Sequence, residues 1–430
     1  MTSYLLNSSF KTYPVNISKE KIFGYRAYKR ITDIPDEIEL AIIIVPNDNV
    51  LEAVKDCVAK HVKGIIIETA GFAETGIEKY VQIQNEIEII AQTTHIRIIG
   101  PNCVGVTNFN NKFTTTDIEF QGLMENGPIS IIAQSGVLGN VVVDWGSSQK
   151  ILFAKSITLG NKIDVDEIDV LEYLENDQYT KVIALYLEGV KKGKRLLNIL
   201  KRITKPVIVL KNGRSQAGLS AIKSHTGSIA GDDKIFDAIF KQIPGVFRVD
   251  NFYEMFDIAQ VFATQPLPVG RNIAIITASG SLGSLACDLI ESRGLKIASL
   301  KSTTSKEIKQ ATPNWTSANN PVDLGPSIFA TFKPAITALM NDESVDAIIY
   351  LFAVPQKPLE KFALTMIPQF RVIGKLVKQF GKPVIICVFG SRWTLDYLLE
   401  NSPKYNIPVM TRIDHAIKAL KMMYDFKSAK

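Results

Sequence analysis

Short runs rich in Ile and Val recur at residues 40–46, 64–69, 96–100, 129–133, 182–187, 207–210, 273–277, 347–352 and 384–388. They are apolar throughout rather than alternating. That is the pattern of strands covered on both faces, as in parallel sheets. The stretches between them carry helical spacing, which predicts an α/β fold. Two stretches break the rhythm: 108–127 is polar and irregular, and 264–270 holds Pro266 and Pro268. They divide the chain into three expected domains, 1–122, 123–266 and 267–430.

The second and third domains echo each other. Ile131-Ile132-Ala133-Gln134-Ser135-Gly136 corresponds to Ile275-Ile276-Thr277-Ala278-Ser279-Gly280, each a strand, a Ser-Gly turn and a predicted helix. Lys205-Pro206-Val207-Ile208 corresponds to Lys382-Pro383-Val384-Ile385, and each strand leads to a glycine, Gly213 or Gly390. Residues 176–187 resemble 341–352. The copies differ where chemistry would sit. Glu188 ends its strand, and the corresponding position is Ala353. After Gly213 the first copy runs on to Ser224-His225-Thr226-Gly227-Ser228, and nothing similar follows Gly390. Chemistry is therefore expected in the first copy, with the second as scaffold.

At 430 residues the chain has room for about three domains and needs no disulfides to bury its cores. The net charge, 49 − 43 = +6, is spread thinly. Its densest basic cluster, Lys191, Lys192, Lys194 and Arg195, reads as a solvated helix face, so no nucleic-acid partner is expected. No apolar run approaches the ~18 residues of a membrane helix. Residues 1–9 show no secretory leader, which points to the cytoplasm. Cys57, Cys103, Cys287 and Cys387 are far apart, as are His61, His95, His225 and His415, so neither a zinc site nor a disulfide framework is expected.

His225 sits among small hydroxylated residues and glycine, read here as a loop ahead of a helix from Asp232. A lone histidine there suits a phosphoryl or proton carrier, or is an incidental surface residue. Glu188, at a strand's C-terminal end, faces the crevice where open α/β sheets bind ligands. A carboxylate there can orient an imidazole and stabilise its cation. Ser135-Gly136-Val137 and Ser279-Gly280 each open a helix whose unpaired N–H groups favour phosphate. Gly213-x-x-x-x-Gly218 has Leu219 where a P-loop needs lysine, and no G-x-S-x-G is present, which excludes two common nucleotide and hydrolase motifs. Gly100-Pro101-Asn102-Cys103-Val104-Gly105 and Glu68-Thr69-Ala70-Gly71-Phe72 close strands of the first domain with small residues at the crevice edge.

Together these residues, with Tyr13-Pro14-Val15-Asn16, Leu159-Gly160-Asn161-Lys162, Lys211-Asn212-Gly213-Arg214, Asn320-Pro321-Val322-Asp323 and Ile407-Pro408-Val409, form an ordered set along nearly the whole chain. The chain resembles the NDP-forming acyl-CoA synthetases, most of all the alpha subunits of ADP-forming acetyl-CoA synthetases, with succinyl-CoA synthetase alpha a more distant likeness. The resemblance implies a Rossmann-like CoA-binding domain followed by two flavodoxin-like, doubly wound domains. It implies that His225 is phosphorylated and Glu188 stabilises it. It implies phosphate at Ser135, Gly136, Val137, Gly160, Asn161, Ser279 and Gly280, and coenzyme A at Val15, Asn16, Pro46, Ala70, Gly71, Asn102 and Cys103. The implied reaction interconverts acyl-CoA, ADP and phosphate with acid, ATP and CoA through an acyl phosphate. Nucleotide and Mg2+ would lie on an ATP-grasp beta subunit, in an α2β2 hetero-oligomer. One departure stands out: only Gly24 occurs in the first 45 residues, so the CoA domain is expected to lack its first strand and glycine-rich turn. The alternatives are a non-catalytic CoA-binding or regulatory paralogue and another phosphohistidine carrier. Retention of both Glu188 and His225 argues against the regulatory copy.

Overall fold

The computed structural model describes residues 2–116, 126–226 and 233–430, with the side chains of 137–138, 222–226 and 362–368 outside the described set. The chain forms two compact units, 1–249 and 250–430.

In the first unit, β1 (Lys21–Ile22) and β2 (Tyr25–Arg26) make an antiparallel ribbon. A parallel sheet follows in the order β3 (Leu40–Ile43), β4 (Gly64–Ile67), β5 (Arg97–Ile99). The helices Asn47–Ala59 and Glu78–Thr94 connect these strands. Val50, Val54 and Ile87 pack from them onto Ile65, Ile67 and Ile98, which explains why the strands read as continuous apolar runs.

A seven-stranded sheet comes next. It contains β6 (Val106–Asn108), β7 (Phe113–Thr114), β8 (Ile129–Ala133), β9 (Phe153–Thr158), β10 (Val182–Leu187), β11 (Val207–Lys211) and β12 (Val246–Arg248). Its parallel part runs β9-β8-β10-β11-β12, the flavodoxin order in which the first strand of the unit lies between the second and third. β6 and β7, which precede the expected junction near 122, add to its edge, β6 antiparallel to β9 and β7 antiparallel to β6.

The second unit repeats the order. β13 (Asn272–Thr277), β14 (Lys296–Ile297), β16 (Ala347–Phe352), β17 (Val384–Val388) and β18 (Val409–Met410) run β14-β13-β16-β17-β18, and β15 (Val322–Asp323) pairs with the end of β13. The helix Phe252–Thr264 belongs to this unit, packed on Ile413–Ser428 with Phe262 edge-on to Phe426 at 5.8 Å. The expected junction near 266 follows that helix.

All nine expected strands are present. One long strand escaped the pattern. β9 carries Lys155, Ser156 and Thr158, yet every residue in it is buried. The Lys155 ammonium is neutralised inside by Asp177 at 2.7 Å, a partner no periodicity reveals. Among the described residues no helix is long and apolar enough to cross a membrane, and no cluster of His, Cys, Asp and Glu is placed to hold a metal.

Candidate active site

The strand order reverses between β8 and β10, and in such sheets the crevice opens at their C-terminal ends. Gln134 follows β8 and clamps that opening. Its Oε1 accepts the backbone N–H groups of Glu188 at 2.9 Å and Gly189 at 3.0 Å. Its own N–H donates to the Tyr186 carbonyl at 3.2 Å. Glu188 is 5% exposed. The Tyr186 hydroxyl donates to its Oε1 at 3.1 Å and accepts from Asn212 Nδ2 at 2.9 Å. Burial, then the adjacent Glu188 charge, push the Tyr186 phenol above its ordinary pKa, so it stays a donor. Glu188 Oε2 is buried with no hydrogen-bond partner among the described residues. A buried acceptor left unsatisfied costs about 1–3 kcal/mol, more when charged, which makes this position the candidate for a ligand or side-chain partner.

Two lysines lie beside this opening. Lys162 Nζ donates to the Gly189 carbonyl at 2.7 Å and pairs with Glu167 at 2.9 Å. Lys211, fully buried at the end of β11, donates to the Asn212 carbonyl and stands 5.0 Å from the Phe236 ring centroid. Burial outweighs the attraction of Asp233 and pulls the Lys211 pKa down to about 8.

His225, expected on a loop, stands in the last turn of the helix Gln216–Thr226. Ala, Leu, Ile and Lys within that run favour the helix more than its hydroxyl residues oppose it. Ser215 caps the start, its Oγ accepting from the Gly218 N–H at 3.1 Å. The His225 side chain lies outside the described residues, as do Gly227 and Ser228. The helix lies against the short 3-10 turn Ala73–Thr75 that follows β4.

A second group of expected residues gathers where β5 and β9 end. Gly160 has φ +59°, and a Cβ there would stand 2.1 Å from the Pro101 carbonyl oxygen, so the two loops meet only because it is glycine. The Asn161 N–H donates to Pro101 O at 2.9 Å, and its side-chain oxygen accepts from Asn102 Nδ2 at 3.3 Å. Asn161 Nδ2 donates to Glu74 Oε2 at 2.7 Å and Gln84 Oε1 at 2.8 Å. Gly136 presses on the same loop, its missing Cβ lying 2.7 Å from Val104 Cγ2. Ser135, the N-cap of the helix Gly136–Ser148, makes no side-chain capping bond, so its hydroxyl does not satisfy the first-turn N–H groups. Val137 is in that turn, its side chain outside the described set.

The remaining expected contacts are more dispersed. Ala70 and Gly71 follow β4, and Gly71 O accepts from Asn47 Nδ2 at 3.1 Å, next to Pro46 at the start of the helix Asn47–Ala59. Val15 bridges Tyr28, and Asn16 bonds to Tyr28, Ser18 and Lys19 rather than to the loops at 71 or 102. Cys103 is buried, its thiol held up at about 12 by desolvation and bonded to Ile67 O, so it is a packing residue with little thiolate character. Ser279 and Gly280 lie in the other unit. There Asp323 Oδ2 is 3.1 Å from where a Gly280 Cβ would stand, placing the chain's own carboxylate at that helix start.

Sequence reasoning met Tyr186, Lys211 and Asn212 only as members of motifs, with no role of their own, and passed over Glu74 and Gln84. One signal was readable: Lys211 ends an otherwise apolar strand, and the repeat has Val388 there.

Residues 126–262 match the succinyl-CoA ligase-like flavodoxin domain family, and residues 1–108 match a CoA-binding domain family. The chain is 40% identical to the acetate–CoA ligase [ADP-forming] II subunit alpha of Pyrococcus furiosus, over 94% of this chain and 87% of that one. It is 38% identical to acetate–CoA ligase [ADP-forming] II of Archaeoglobus fulgidus over 95% of its length, spanning 60% of that longer protein. Its structure is similar to the dinucleotide-forming acetyl-coenzyme A synthetase 1 of Candidatus Korarchaeum cryptofilum, solved with phosphate and ADP. The TM-score is 0.86 and the identity 28%, covering 99% of this chain and 91% of that one.

Proposed function

Since the chain belongs to the family of ADP-forming acetate–CoA ligase alpha subunits, we propose that it carries the acyl-transfer and phosphohistidine half of that reaction. Phosphate rests on the free N–H groups at Ser135, Gly136 and Val137 and beside Gly160 and Asn161. One of its oxygens attacks the thioester carbonyl of acetyl-CoA. The C–S bond breaks, CoA leaves as the thiol with the proton phosphate gives up, and acetyl phosphate forms. An imidazole nitrogen of His225 then attacks phosphorus, and acetate departs as the P–O bond breaks. The ring, phosphorylated on one nitrogen and protonated on the other, is cationic. Glu188 Oε2 accepts that second N–H and stabilises the charge. ADP finally takes the phosphoryl group, giving ATP and neutral His225.

The observation that carries this reading is the buried Glu188 oxygen at the strand switch point, which has no partner among the described residues. CoA lies along Pro46, Ala70, Gly71 and Asn102, with Val15 and Asn16 on a separate segment and the buried Cys103 only packing behind the loop. The nucleotide and its magnesium sit on an ATP-grasp partner in an α2β2 assembly.

The test needs this chain alone. Incubation with acetyl phosphate labelled at phosphorus should leave an acid-labile, base-stable label, as expected of a phosphoramidate. His225→Ala should abolish it. Label persisting in that variant would place the carrier elsewhere. A chain that binds CoA but never takes label would favour the regulatory alternative.

A further inference from the structure

We propose that Glu74 is a positioning residue that couples the CoA-binding loop to the phosphate site; this rests on the reading above and adds a residue to it. Glu74 lies in the 3-10 turn after β4. Its two carboxylate oxygens serve two different loops. Oε1 accepts the Gly71 N–H at 2.7 Å, on the loop where CoA is placed. Oε2 accepts from Asn161 Nδ2 at 2.7 Å, on the loop where phosphate is placed. Both bonds are charge-assisted, short and carried by a side chain that forms no ion pair with Lys or Arg among the described residues.

Asn161 is itself fully engaged. It donates to Pro101 and Gln84 and accepts from Asn102, so it cannot shift without disturbing the loop after β5. The turn bearing Glu74 also lies against the helix Gln216–Thr226, whose last turn holds His225. One carboxylate thus joins two segments of the proposed reaction, the loop that meets CoA and the loop that meets phosphate, and its turn lies beside the carrier helix. Movement of Gly71 on CoA binding changes how firmly Asn161 is held. By linkage, phosphate must then change CoA affinity by the same factor.

The geometry also says why a carboxylate is needed. Both ligands of Glu74 are donors, and only an acceptor with two free oxygens can satisfy both. Glu74→Gln offers one carbonyl oxygen and turns its NH2 toward the other donor. The Asn161 amide cannot flip to compensate, because it would then face Asn102 Nδ2 with its own NH2 and lose Gln84.

The experiment is calorimetric titration of the full chain with CoA, with and without saturating inorganic phosphate. In the unaltered chain phosphate should change the CoA dissociation constant by about fivefold or more, the lower range of measured couplings. In Glu74→Gln the factor should fall below about twofold. Glu74→Asp keeps two acceptors but cannot span both loops, and should lose the coupling too, which covers the case in which Glu74→Gln does not fold. If CoA and phosphate both bind more weakly in these variants while the coupling factor stays at its original value, Glu74 only braces the fold and the proposal is overturned. No coupling in the unaltered chain overturns it as well. Failure of the unaltered chain to bind CoA at all overturns it together with the proposed function, whereas normal His225 labelling with intact coupling in Glu74→Gln overturns this inference alone.

Discussion

The sheets β8–β12 and β13–β18 share one strand order and one set of structural devices, and they part only at the strand ends. In both, a proline carbonyl accepts the N–H that locks the third strand to the fourth, Pro206 for Ile183 at 3.0 Å and Pro383 for Ile348 at 2.9 Å. In both, the preceding lysine reaches back to the end of a helix. The openings differ. The first has Gln134, Tyr186, Glu188 and Lys211 where the second has Ala278, Leu351, Ala353 and Val388. The second core closes with Tyr350 and Phe352 fully buried and no carboxylate corresponding to Glu188. The fold is therefore satisfied without those polar groups. Their burial in the first sheet costs stability, a cost that the proposed chemistry accounts for.

The largest effect should come from exchanging the residues that differ most. Glu188→Ala gives the first sheet the residue of the second. It should slow His225 labelling roughly 10²-fold or more, in the range of lost acid–base assistance. Its melting temperature should fall modestly: a buried oxygen without a described partner leaves with the side chain, but the Tyr186 hydroxyl loses its acceptor. Ala353→Glu makes the reverse change at a half-buried site and should leave labelling at the unaltered rate. Equal labelling by Glu188→Ala and the unaltered chain would remove the functional distinction between the two openings.

Lys211 and Val388 sharpen the comparison through pH. The folded chain holds the Lys211 amine near 8, against an ordinary 10.5. Between those values the unfolded chain binds the extra proton, so the stability of the native chain rises with pH across that window. Below pH 8 the buried ammonium costs the folded state its full penalty. Lys211→Met should therefore stabilise the protein at pH 7 by about 1–3 kcal/mol, as when buried charges are replaced by apolar groups. The advantage should shrink between pH 8 and 10.5. Urea unfolding at pH 7 and 9.5 measures it, and an advantage that grows with pH contradicts the depressed amine.

How far the chain could be read in advance follows the same division. The doubly wound class, the nine apolar strands and the internal repeat were legible because a strand buried on both faces leaves a local signature. β9 was not, since Lys155 depends on Asp177, 22 positions away. Gly160, Asn161 and Glu188 were legible as candidates. The partners of Asn161 were hidden: Glu74 and Gln84 are 87 and 77 positions distant, and nothing local distinguishes them from surface residues. The helix holding His225 was mistaken for a loop because Ser, Thr and Gly near its end outweighed the helix formers before them.

The smallest expected effect tests what the two sheets share. Lys205 Nζ donates to the carbonyls of Leu174 at 2.5 Å and Asp177 at 2.7 Å, at the end of the helix Glu167–Asn176. Lys382 Nζ donates to those of Met340 at 2.8 Å and Asp342 at 2.6 Å, at the end of the helix Ile328–Asn341. The last carbonyls of a helix lack partners within it and carry partial negative charge, so an ammonium there both bonds and complements the dipole. Burial lowers the pKa of each lysine, yet nearby carboxylates oppose that shift: Glu175 and Asp177 for the first, Asp342, Asp346 and Glu343 for the second. Lys205 also feels the repulsion of Lys155, whereas the cation near Lys382 is the exposed Lys301. Lys205→Met and Lys382→Met keep the apolar stem and lose the charge. Each should cost about 1 kcal/mol at pH 7, with Lys382→Met the slightly larger loss and no change in His225 labelling. The losses should add in the double variant, because the two sites share no partner. A loss confined to one lysine would mean that the two copies share a strand order without sharing the means of holding it.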